Sequence, residues 1–185
     1  LANIDALGNW NTSNFRSLGT RGSWDSERYG IFSGCSKITS LDSLRSWDVS
    51  NVTSMFSAFD GCSGITSLDP LRDWDVSNVE VVCRLFRGCS GVVSVDPLEN
   101  WNIRKVRDLN EVFSGCRSLT SLDGIDNWDV SNVTSMYFTF SGCSGLSDLE
   151  SISGWNVEKV ESLRGTFNGC SGLVSLEGLG KWRTS

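Results

Sequence analysis

WDVSNV occupies Trp47 to Val52, Trp74 to Val79 and Trp128 to Val133 without a single change. Outward from that phrase the spacing persists: Trp47, Trp74, Trp101, Trp128, Trp155 and Trp182 stand 27 residues apart, and so do Cys35, Cys62, Cys89, Cys116, Cys143 and Cys170. Phe32, Phe59, Phe86, Phe113, Phe140 and Phe167 keep the same step, three residues ahead of each cysteine. Columns that share one period of this length mark a chain built from copies of one supersecondary unit.

One copy runs ITSLDPLRDWDVSNVEVVCRLFRGCSG from Ile65 to Gly91. Its apolar residues fall in threes from Ile65 to Trp74, which predicts short extended pieces around Ser67 to Asp69 and Trp74 to Val76. After Val79 the separation becomes three or four, which predicts a helix of about two turns ending at Gly88. Such a unit exposes Trp, Phe, Val and Leu that only copies above and below can cover, so the units must stack, with rungs roughly 4.8 Å apart if they pair as parallel strands. The expected fold is therefore α/β, a right-handed solenoid with short parallel strands on one face and short helices on the other. It forms one array over residues 1–185 with truncated units at both ends.

Composition narrows the function. With 16 basic against 22 acidic residues the formal charge is −6, which disfavours duplex nucleic acid and anionic membrane as partners. No apolar run approaches the ~20 residues that span a bilayer. Neither end reads as a polar cap of the kind solenoids use, so a fragment of a longer protein is expected, with any export signal or anchor outside it. Histidine is absent, and every recurring acidic or hydroxyl residue recurs along a line where an active site needs unlike groups converging, so no catalysis and no cofactor is expected.

The acidic column is the most suggestive polar feature: Asp42, Asp69, Asp96, Asp123, Glu150 and Glu177 follow an apolar residue at the same step. It reads either as a surface for calcium or a cationic partner, or as turn chemistry, with Asp69 and Asp96 preceding Pro70 and Pro97. Six cysteines at one repeat position read as a buried, reduced column of small apolar filler. In-register side chains point the same way and a disulfide would pull rungs together pairwise. Ser-Asn pairs at Ser13, Ser50, Ser77 and Ser131 read as helix N-caps.

Two departures from the repeat mark where specificity can reside. Ten extra residues, Gly19 to Arg28 (GTRGSWDSER), enter the first unit. Arg21, Trp24 and Arg28 make them either a contact loop or a flap over the first rung. The column Tyr29, Phe56, Cys83, Asn110, Tyr137, Arg164 varies in size and polarity while its neighbours hardly change. The positions ahead of each tryptophan, Arg45, Arg72, Glu99, Asp126, Ser153 and Gly180, vary as well.

The chain resembles the BspA-like leucine-rich-repeat family, and within it the branch of mycoplasma-type surface lipoproteins. The likeness rests on WDVSNVTSM at Trp47 and Trp128, on FSGC at Phe32, Phe113 and Phe140, and on GCSGITSLD at Gly61. It departs from that pattern in the inserted loop, the 27-residue unit and the phrases WNIRKV and WNVEKV. The resemblance implies a cell-surface protein of bacteria, or occasionally of protists, that binds a protein or glycan ligand on a host or neighbouring cell, without catalytic residues. Such a fragment is expected to be a monomer, with the acidic column and the inserted loop as candidate contact residues. A stiff spacer without a ligand and a calcium-stabilised array are the rival readings.

Overall fold

The computed structural model describes residues 3–21 and 28–183. Every third residue of a unit points inward: Val76, Val79, Val82 and Leu85, then Phe86, Cys89, Val92, Val95, Leu98 and Trp101 are all buried. The backbone bends at each step, with the N–H of Val79 donating to Val76 at 2.9 Å, Leu85 to Val82 at 3.0 Å, Cys89 to Phe86 at 3.1 Å and Leu98 to Val95 at 2.9 Å. These are three-residue turns, each returning one apolar side chain to a common interior. That interior is continuous, from Ile4 in the first unit to Cys170 in the last.

The helix expected after Val79 does not form, and among the described residues there is no α-helix. A spacing of three or four suits a chain of consecutive turns as well as an α-helix. Here a left-handed residue, Arg84 at φ 61°, interrupts each potential helix, as do Ser57, Glu111 and Phe138 at the same position. The amides that a helix would bond internally leave the unit instead: Arg84, Phe86 and Gly88 donate to Asn110, Val112 and Ser114 of the next unit at 3.0, 2.9 and 2.7 Å. The expected strands are displaced too. Asp69–Leu71 is a 3-10 helix, and the paired backbone lies in the stretch expected to be helical.

Regular pairing there comprises β1 (Ser17–Arg21), β2 (Arg28–Gly30) and β3 (Ser54–Met55), ordered β2-β1-β3. β1 is parallel to β3, and single parallel bridges join Ser54 to Val81, Asp108 to Ser135 and Ser135 to Ser162. The insertion is a hairpin, β1 antiparallel to β2 with Gly19 opposite Gly30 and Arg21 opposite Arg28. Its tip, including Trp24, lies outside the described residues. Gly30 is obligatory, because a Cβ there would lie 1.9 Å from the Ser57 carbonyl oxygen.

The columns explain the repeated phrase. Each indole N–H of the column from Trp47 to Trp182 donates to a carbonyl of the preceding unit, Trp74 to Leu44 at 3.0 Å and Trp101 to Leu71 at 3.1 Å. Each buried thiol does likewise, Cys62 to the Phe32 carbonyl at 3.0 Å and Cys89 to Phe59 at 3.1 Å. The phenylalanines stack, with centroids of Phe59, Phe86 and Phe113 separated by 5.6 and 5.8 Å. The Ser-Asn pairs cap no helix. The Asp48 carboxylate accepts from the N–H and hydroxyl of Ser50 at 3.0 and 2.6 Å, closing a turn, while Asn51 and Asn78 donate to the backbone of the unit before them. Where the phrase is eroded, Lys105 and Lys159 fill the asparagine place and donate to Asn78 and Asn132 at 2.7 and 2.9 Å.

Candidate binding groove

Among the described residues the ladder lapses between the third and fourth units. Thr53 donates to Arg16 at 2.9 Å, Glu80 to Thr53 at 2.8 Å, Thr134 to Arg107 at 2.8 Å and Glu161 to Thr134 at 2.8 Å. Two positions on, Met55 donates to Val81 at 2.8 Å, Leu109 to Ser135 at 3.0 Å and Met136 to Ser162 at 2.9 Å. Among the described residues the corresponding bonds from Arg107 to Glu80 and from Val82 to Asp108 are missing, and so is a bridge between Val81 and Asp108. Pairing resumes at Arg84 with Asn110.

The side chains at this junction account for the gap. Elsewhere along the bridges a serine, Ser54, Ser135 or Ser162, faces its neighbour, small enough to fit beside any residue. Between the third and fourth units Val81 meets Asp108, a β-branched hydrocarbon against a carboxylate. Asp108 turns back to accept the Asn110 N–H at 2.8 Å, and Val81 stays 36% exposed.

The separation opens a groove of about 740 Å³ lined by Phe56, Glu80, Val81, Cys83, Arg104, Lys105, Arg107, Asp108 and Asn132. An adjoining depression of about 320 Å³ shares Phe56, Cys83 and Asp108 and adds Arg84, Asn110, Glu111 and Tyr137. Four members of the variable column, Phe56, Cys83, Asn110 and Tyr137, thus come together here. Arg164 lies 5.8 Å from the Tyr137 ring centroid. One wall of the depression is the ion pair of Arg84 with Glu111 at 2.6 Å, and beyond it Arg87 lies 3.4 Å from Glu111 and 2.8 Å from Asp60.

The groove carries three cations, Arg104, Lys105 and Arg107, against the carboxylates of Glu80 and Asp108. Among the described residues none of the three cations lies within ion-pair distance of a carboxylate. Nearby, Asp129 is held below the usual carboxylate range by the Ser131 hydroxyl and N–H, with Arg104 and Lys159 adding to the effect.

The residues singled out from the sequence lie elsewhere. Asp42, Asp69, Asp96, Asp123, Glu150 and Glu177 each open a 3-10 helix, so the turn chemistry is what the structure displays. Except at Glu150, where Asp148 takes the place, a serine two residues earlier fixes the start: Asp69 N–H donates to the Ser67 hydroxyl at 3.1 Å, and that hydroxyl donates back to the Asp69 carboxylate at 2.8 Å. This bond, followed by one from Arg72, lowers the pKa of Asp69, and Ser151 with Ser121 lowers that of Asp123. Asp69, Arg72 and Asp96 line a depression of about 350 Å³ that shares no residue with the groove. Among the described residues no three acidic or thiol groups converge as a metal site requires. Of the loop residues, Arg21 and Arg28 are placed by their backbone in the hairpin and Trp24 is outside the description. The basic run RKVR at Arg104 to Arg107 was visible only as an erosion of the phrase.

A 27-residue unit whose equivalent residues bond and stack from copy to copy defines a stacked repeat protein. The family model described as "Mycoplasma protein of unknown function, DUF285" matches residues 2–94, 26–122 and 84–185. The chain belongs to this bacterial repeat family. No curated protein matches it. Among the described residues no helix is long and apolar enough to cross a membrane.

Proposed function

We propose that the chain is a non-catalytic, leucine-rich-repeat-like right-handed solenoid, the binding module of a larger cell-surface protein that mediates adhesion through a protein or glycan partner. One observation carries this reading. The repeated Trp, Phe and Cys columns are largely buried and join one unit to the next, whereas Phe56, Cys83, Asn110 and Tyr137 of the variable column gather around the open groove. Variation concentrated in a concavity supports recognition, since a spacer has no use for a cleft lined by unlike side chains. The exposed acidic column supports the calcium-stabilised alternative less well, because the carboxylates of Asp42, Asp69 and Asp123 accept from serines and those of Asp42 and Asp69 also pair with Arg45 and Arg72.

The test is attachment. Beads coated with the 185-residue chain are applied to cultured host epithelium and to a glycan array, alongside beads bearing Tyr137→Ala. Attachment that the substitution reduces supports the reading. Absence of attachment on both supports indicates a spacer.

A further inference from the structure

We infer that the interrupted junction binds an extended peptide segment rich in acidic residues, in which carboxylates alternate with apolar side chains. This rests on the binding-module reading and specifies its partner. Where the ladder lapses, the Glu80 carbonyl and the Arg107 N–H, both on exposed residues, have no backbone partner among the described residues. A polypeptide lying across the opening offers the complementary N–H and carbonyl, as in strand addition to a sheet edge. A sugar chain presents no such regular pair.

The side chains specify the rest. Arg104, Lys105 and Arg107 bring three cations to one groove of a chain whose net charge is −6, and Glu80 with Asp108 leaves the lining net positive by one. Side chains of an extended segment alternate between faces, so carboxylates at every second position meet the cations while the intervening apolar groups meet Val81 and Phe56. Guanidinium groups match carboxylates in a planar, two-pronged geometry, which favours acidic side chains over a diffuse anion.

The experiment pans a random dodecapeptide library on the purified chain and on R104E/K105E/R107E, with R107Q as a milder variant and urea midpoints as the check on folding. The expected result is an acidic-apolar consensus enriched by the native chain alone. The synthetic consensus peptide should bind with an affinity that falls on the order of tenfold in the triple variant, from three screened ion pairs, and drops with added salt. A neutral or basic consensus, no consensus, or equal affinity for the variant overturns the inference. Charge-dependent heparin binding with no peptide selected overturns it too, as does self-association of the chain that the triple variant abolishes in sedimentation. Bead attachment to cells without an acidic consensus would leave the adhesion reading standing and remove this one. An acidic consensus without attachment would do the reverse.

Discussion

Replacing Phe86 by alanine tests whether the units cohere through equivalent residues. Phe86 is fully buried between Phe59 and Phe113, its ring 5.6 and 5.8 Å from theirs, with Trp101 at 6.2 Å. The change removes the transfer energy of the ring and leaves a cavity whose walls are held by two other stacked rings, for a cost of about 3–5 kcal/mol. The same change at Phe167 is a control of identical chemistry. That ring is half-buried and stacks on one phenylalanine, Phe140 at 5.7 Å, with Trp182 at 6.1 Å. Losing one stack and part of the burial costs about 1–2 kcal/mol there. Urea titrations followed by tryptophan fluorescence and by circular dichroism give both values, provided the slopes agree with the native chain. Equal losses at the two sites, or a loss below about 1.5 kcal/mol at Phe86, would refute the stacked interior.

Ser57 is buried in a left-handed conformation, φ 53°, with a hydroxyl that finds no partner among the described residues, and the last unit places Gly165 there at φ 67°. Ser57→Gly should therefore stabilise by about 1 kcal/mol, raising the Tm by about 2–4 °C, and a lower Tm would contradict the assigned strain. Burial pushes the Cys62 thiol up to about 12, and those of Cys89, Cys116, Cys143 and Cys170 upward as well. The folded state thus holds these protons more tightly than the unfolded one, so stability is full below the unfolded value of 9.0 and declines as pH rises above it. Each thiol contributes about 1.4 kcal/mol per pH unit until its own folded pKa is reached. Urea midpoints between pH 8 and pH 10.5 check the slope, and alkylation at pH 8 should reach these five only after denaturation. Glu111→Gln removes the negative charge shared by Arg84 and Arg87 and one of its two acceptor oxygens, and should cost about 1–2 kcal/mol, less in high salt, read from the same titration.

The interior was legible because its chemistry is copied. A tryptophan, a phenylalanine and a cysteine kept at one step need nothing but stacking to explain them, and the bonds from Trp101 to Leu71 and Cys89 to Phe59 are what that stacking produces. The local conformation was misread because an apolar step of three lies between the periods of strand and helix. Turn-by-turn folding with a left-handed residue at Arg84 leaves no mark in the hydrophobic pattern. The variable column through Phe56, Cys83, Asn110 and Tyr137 runs along the face on which the groove lies. The groove itself escaped, since it depends on Val81 and Asp108 being incompatible neighbours 27 residues apart in the chain, a property of a pair and of neither residue alone.

The junction that lost two ladder bonds also holds the least exposed ion pair among those described, Arg84 with Glu111, both side chains 17% exposed. It gains the bond from Lys105 to Asn78 at 2.7 Å as well, and keeps the stack of Phe86 on Phe113 and the thiol bond from Cys116 to Phe86 at 3.3 Å. A charge-assisted bond contributes about twice what a neutral backbone bond does, so these side-chain links offset the two missing bonds. The interior columns and this charged brace together hold the third and fourth units in stack. That leaves the outer edge of the junction open, with Val81 exposed and the Glu80 carbonyl and Arg107 N–H without a backbone partner among the described residues. In a repeat, cohesion resides in the repeated step and an opening arises where one copy deviates from it, which is why the groove sits where the sequence stops repeating.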